Sequence, residues 1–237
     1  MSVEVSHGGQ EHAHGHGDPE LIHQYEDMVQ QNESYTVGMW TFLVTEVMFF
    51  GALFLAYAIY RSANPGAYYS LSKSSLNVPV GAINTMVLLF SSWCMAMAVH
   101  GAQKKRQAQQ LISMGITIIC AFVFLILKFS LEWSVKIKEH HVPGPNFLYI
   151  NPHPDQFPFV QQNQAQMFFS LYFAMTGLHA IHVIIGILIM GLMWFMIKFK
   201  HPAMKYYMWM EMIGLYWHFV DIVWIFLFPL FYLIPKP

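Results

Sequence analysis

The sequence predicts an all-α integral membrane protein, a helical bundle with five transmembrane helices, on three observations. Only 11% of the 237 residues are charged and 56% are hydrophobic, whereas a soluble domain carries roughly 25% charged residues to meet water. Five apolar runs, at about 37–60, 81–101, 111–131, 166–197 and 208–234, each hold at least 21 residues, and a helix needs about 20 to cross a hydrocarbon core. Backbone at that depth must bond within its own segment, and the short alternating segments of a membrane barrel are missing. The net charge of −1 offers no basic field, so nucleic acid is excluded as a partner. Cys94 and Cys120 lie within apolar runs without CxxC spacing, which reads as two buried, inert thiols.

Residues 1–36 form a polar, His-rich tail, apart from the transmembrane domain of 37–237. The tail lacks a positive segment followed by an apolar one, so a cleaved signal peptide is not expected. His7, His12, His14 and His16 read as part of a solvated low-complexity stretch rather than a cation site. In the first span, Glu46 stands ten residues deep within TFLVTEVMFFGALF and has no basic residue one turn away. Its partner must come from another helix, from water, or be a bound proton. The second span carries Asn84 near its start, and Ser92 with Ala96 offers the small-residue spacing of close helix approach. Lys128 and Glu132, four residues apart, are expected to pair where the third span meets the outer interface.

The connection 132–165 contains Pro143, Pro145, Pro152, Pro154 and Pro158, a density that predicts an extended, rigid cover. The fourth span is over-long and should tilt or project beyond the headgroups. Its segment TGLHAIH puts Thr176, His179 and His182 on one face. Two histidines one turn apart on one helix cannot clamp opposite faces of a haem, and a second helix would have to add His218 or His100. Packed, hydrogen-bonded imidazoles are therefore preferred to a metal site. In the fifth span, Glu211 and His218 stand seven apart, His218 and Asp221 could hold an ion pair at depth, and Trp217 with Trp224 reads as packing surface. Basic residues crowd the loops after the second span (Lys104, Lys105, Arg106) and after the fourth (Lys198, Lys200, Lys205). The positive-inside rule then places the N-terminus in the cytoplasm and the C-terminus outside. No internal repeat supports an inverted-repeat transporter.

TEVMFF at 45–50, NTMVLLFSS at 84–92, Glu132 closing the third span, TGLHAIHVIIG at 176–186, and Glu211 followed by His218 within YWHFVDIVW occur in order along the chain. With these motifs the sequence resembles subunit III of the haem–copper terminal oxidases, in the shorter bacterial form of five helices. The resemblance implies an accessory, non-redox subunit of a proton-pumping cytochrome c or quinol oxidase in the bacterial plasma membrane. It would belong to an enzyme complex of aerobic respiration without a catalytic centre or metal of its own. Haem and copper would sit on partner subunits I and II, phospholipid would be bound here, and a larger respiratory supercomplex would be compatible. Glu46 matches the family's buried glutamate, close to lipid and proton uptake, and His179, His182, Glu211, Trp217, His218 and Asp221 match its remaining polar signature. Two rival readings are a related accessory protein of nitric oxide reductase and a stand-alone proton or metal transporter using Glu46, His218 and the tail.

Overall fold

A computed structural model describes residues 25, 27–145, 147–150, 160–199 and 207–236. The first 24 residues, including His7, His12, His14 and His16, lie outside the described residues, as do Pro152, Pro154 and Pro158 of the long connection. Each apolar run falls on a helical stretch, the fifth running two residues past the end of its helix at Tyr232, and five helices are long and apolar enough to cross a membrane.

Helix α1 spans Met28–Ala63, starting nine residues before the expected span. Asp27 sets that start, its carboxylate accepting the Gln30 N–H at 2.7 Å, as N-cap residues do. At the far end Asn64 breaks the helix and Pro65 opens α2 (Pro65–Ser75), whose missing N–H costs nothing at a first turn. This short helix has no counterpart in the sequence reading, because PGAYYSLSKSS has no long apolar run. It docks on the bundle end by burying Tyr68 and Leu71 and by a Ser72 hydroxyl that donates to the Phe231 carbonyl at 2.6 Å.

Helices α3 (Val78–Gln103) and α4 (Gln107–Leu127) form an antiparallel hairpin. Its tight turn puts Lys105 at φ 55° and returns the Arg106 N–H to the Gly101 carbonyl at 2.8 Å. A Cβ on Gly101 would stand 2.9 Å from the Gln110 nitrogen, so only glycine lets the two backbones come this close. Helix α4 continues through a π-helical turn, Lys128–Trp133, into α5 (Ser134–Lys138). The helical path thus reaches Lys138 rather than giving way to an extended cover from residue 132, since the first proline of the connection is Pro143. Beyond it, Tyr149 exchanges two backbone bonds with the Gln162 side chain, at 3.0 and 2.6 Å, and its hydroxyl meets Ser74 at 3.0 Å. His141 stacks on Phe169 with 4.8 Å between ring centroids, and burial pushes its pKa below the usual value.

Helix α6 (Gln162–Lys198) opens with a capping box between Gln161 and Gln164. Its 37 residues extend to about 55 Å at 1.5 Å per residue, well beyond a hydrocarbon core and in line with the expected over-length. Helix α7 (Met208–Tyr232) is the centre of the bundle, with 14 of its 25 residues buried. It runs antiparallel to α3, with Trp217 donating to Ser91 and Trp224 to Thr85, both at 3.1 Å. Both tryptophans are buried packing surface, as expected. Gly186 of α6 admits the Trp217 ring, which would lie 2.8 Å from a Cβ there. Cys94 is buried, but Cys120 is only partly so, which corrects the reading of two buried thiols. Helix α1 is peripheral. Within its apolar length it buries only Leu43, Phe50 and Tyr57, a single line with one residue every two turns.

Candidate functional site

Three groups of polar side chains join the helices, each assembled from different ones. The first joins α1 to α6. Glu46 Oε2 lies 3.2 Å from His182 Nε2, and His182 Nδ1 lies 2.8 Å from the Leu178 carbonyl of its own helix. A carbonyl can only accept, so Nδ1 carries a hydrogen and Nε2 is the nitrogen left to face the carboxyl. With that tautomer, Nε2 and the carboxyl form a hydrogen bond when a proton lies between them. The partner of Glu46 thus comes from another helix. The pair forms part of the wall of a groove of about 440 Å³ between α1, α6 and α7. The rest of the wall is apolar or aromatic, including Phe42, Ile185, Ile189, Trp209 and Tyr216.

His179 does not share that groove. Its ring packs against Trp224 at 5.2 Å and Phe124 at 5.7 Å, and neither ring nitrogen has a hydrogen-bond partner among the described residues. The face expected for Thr176, His179 and His182 is therefore divided. Three residues of helix turn the side chain by about 300°, enough to send His182 to α1 and His179 into the α4–α7 core. Thr176 bonds the Tyr172 carbonyl within its own helix. The expectation of two hydrogen-bonded imidazoles holds for His182 and fails for His179.

The second group lies between α3 and α7. Glu211 accepts from Gln103 Nε2 at 2.8 Å, and His218 Nδ1 is 2.7 Å from the Ser92 hydroxyl. Asp221 is 3% exposed and interacts with the same Ser92, but neither carboxylate oxygen has a partner at hydrogen-bond geometry. No ion pair joins His218 and Asp221 among the described residues. Ser92 serves the imidazole instead, because α3 approaches closely enough for its hydroxyl to reach between them. Sequence reasoning saw Ser92 only as a small residue and missed the role of Ser91. Their tandem place in NTMVLLFSS, opposite an indole and an imidazole, was the available signal.

The third group is the Lys128–Glu132 pair. The two residues pair as expected, and both side chains are almost wholly buried within the protein. The ammonium also donates to Tyr172 at 3.0 Å and Tyr232 at 2.8 Å, and both phenols donate to the Glu132 carboxylate. The bonds to the carboxylate, all on Oε2, offset the cost of burying the pair, while Oε1 has no partner among the described residues. The network binds the π-helical turn to α6 and α7. Among the described residues no three His, Cys, Asp or Glu side chains converge as a metal site would need.

A membrane-length bundle whose polar side chains meet one another across helices is the architecture of a multi-pass membrane subunit. The family model of cytochrome c oxidase subunit III matches residues 20–137 and 159–235, and the chain belongs to that family. It is 26% identical over 215 residues to a cytochrome bo(3) ubiquinol oxidase subunit 3 of Pseudomonas aeruginosa, covering 90% of this chain and 91% of that one. It is 29% identical over 227 residues to a cytochrome c oxidase subunit 3 of Synechocystis, covering 95% of this chain and 81% of the other. A heme-copper oxidase subunit I+III of Aeropyrum pernix is 28% identical over 204 residues, covering 83% of this chain and 22% of that longer protein.

Proposed function

We propose that the chain is the accessory third subunit of a proton-pumping terminal oxidase that reduces O2 to water. It packs on catalytic subunit I within a complex that includes subunit II, holds phospholipid and supports proton uptake. Haem and copper are assigned to those partners and no catalytic residue to this chain. The dense basic loops favour a bacterial plasma-membrane orientation with the N-terminus cytoplasmic.

The observation that carries this reading is the Glu46–His182 contact on the wall of an otherwise apolar groove. Acyl chains fit the apolar wall, and the pair offers a polar contact at membrane depth. The relative named subunit I+III, in which a segment like this chain is part of a longer polypeptide, supports packing on subunit I. His179, Trp217, His218 and Asp221 serve to join helices in this reading, and Glu211 stands at the end of α7 where a proton donor or neighbouring subunit could meet it.

The test is to tag the chain, purify its complex in mild detergent, and measure partners, haem, lipid phosphorus and O2 consumption. Catalytic subunits and bound phospholipid are expected to copurify. Glu46→Gln keeps the shape but removes the ionisable group. It should leave haem content unchanged while shortening the time over which the oxidase stays active during turnover. Loss of haem in that variant, or purification without oxidase subunits, would refute the proposal.

A further inference from the structure

We infer that the outer face of α3 and α7, centred on Trp93 and His218, is where a transmembrane helix of the catalytic subunit docks, and that this helix brings hydrogen-bonding side chains to membrane depth. The inference rests on the accessory-subunit reading and goes beyond it by assigning one face.

Two independent features mark this face. A groove between the two helices sets four polar side chains, His100, Gln103, Glu211 and His218, among apolar lining that includes Val99 and Leu215. Ala96 leaves the α3 side of the groove open, while on the α7 side Val99 packs against Gly214, where a Cβ would lie 2.8 Å from its methyl. His218 has committed Nδ1 to Ser92, which leaves Nε2 for a group from outside. Hydrocarbon can neither donate to nor accept from that nitrogen, so His218 facing an open groove costs free energy that a protein partner can recover. The groove beside α1 differs, because its two polar side chains satisfy each other.

Trp93 is the second feature. It is 60% exposed and stands within one turn of the midpoint of α3, whereas tryptophan in lipid favours the headgroup level. Its only ring neighbour among the described residues is Phe90, at 5.8 Å. Its indole N–H has no acceptor among them. Leu89, Trp93, Ala96 and His100 follow at helical spacing and are all exposed, so an aromatic anchor and the polar groove form one continuous stripe. A large indole flanked by hydrogen-bonding groups is the composition of an interface centre rather than of a lipid-facing surface. The matching helix would offer an acceptor level with Trp93 and a donor, arginine, lysine or an amide, toward Glu211.

A photo-crosslinking residue placed at position 93 or 89 in the tagged chain, within the assembled oxidase in its own membrane, tests the assignment. Positions 119 on α4 and 188 on α6 serve as controls, since Ile119 and Leu188 are exposed on other faces. The expected result is a crosslink to the catalytic subunit from 93 and 89 but not from 119 or 188. Crosslinks from 93 and 89 to lipid only, to a second copy of this chain, or a catalytic-subunit crosslink confined to the controls would overturn the assignment while the copurified complex still stands. Failure to copurify with oxidase subunits would overturn the accessory-subunit reading and, with it, this one. Among the described residues a Trp93→Leu exchange gives up one ring contact, with Phe90, so it should leave the isolated subunit's melting unchanged and reduce its retention in the complex.

Discussion

At the scale of single residues, the buried ionisable groups are held unequally: Lys128 and Glu132 have several partners, whereas neither Asp221 oxygen has one at hydrogen-bond geometry among the described residues. Lys128 is the extreme case, because its ammonium meets Glu132 and two phenols. Lys128→Met should therefore leave the Glu132 carboxylate buried and uncompensated, a loss of about 3–5 kcal/mol. A double exchange to Lys128→Met with Glu132→Leu should recover much of that loss, and thermal melting in detergent of both variants checks the order. Residue types and their helices were legible in the sequence, but their pairing was not. Glu46 and His182 are 136 positions apart, and no spacing rule connects residues that meet only after α1 has packed on α6. Spacing within one helix misled for His179 and His182, since neighbours on a helix face can still turn to different partner helices. The Lys128–Glu132 pair was found because both residues lie on one helix, yet its burial depends on tyrosines contributed by two others.

At the scale of elements, the five long helices could be read because bilayer thickness imposes a length that apolar runs reveal. Helix α2 and the π-helical turn could not, the first because its amphipathic sequence has no such length and the second because its register depends on tertiary partners. Close packing of α6 on α7 yields a further expectation. In Gly186→Ala the new methyl would press on the Trp217 ring, a backbone-bound group against a fully buried one. The expected cost is about 1–3 kcal/mol, visible as earlier melting and as a shift in Trp217 fluorescence. Outside the membrane, the cap over the bundle end depends on a neutral His141. Burial lowers its pKa, so the stability it contributes is complete above the unfolded value of about 6.5. That contribution is lost as pH falls through the lower folded value. Melting curves between neutral and acidic pH should show His141→Phe, which retains the ring stack on Phe169, losing less stability than the parent chain. Equal losses in both would remove His141 from the account.

For the whole molecule, family membership and helix count agree with the sequence reading, and the bundle adds an asymmetry the sequence did not disclose. Helices α3, α4, α6 and α7 enclose the core, while α1 rests on them along the line of Leu43, Phe50 and Tyr57. A solubilising agent that competes for this narrow seam will peel α1 away while the remaining four stay together. Harsh extraction should then expose the stretch around Asn64 to protease first, and preparations handled that way would shed the Glu46–His182 contact long before they unfold.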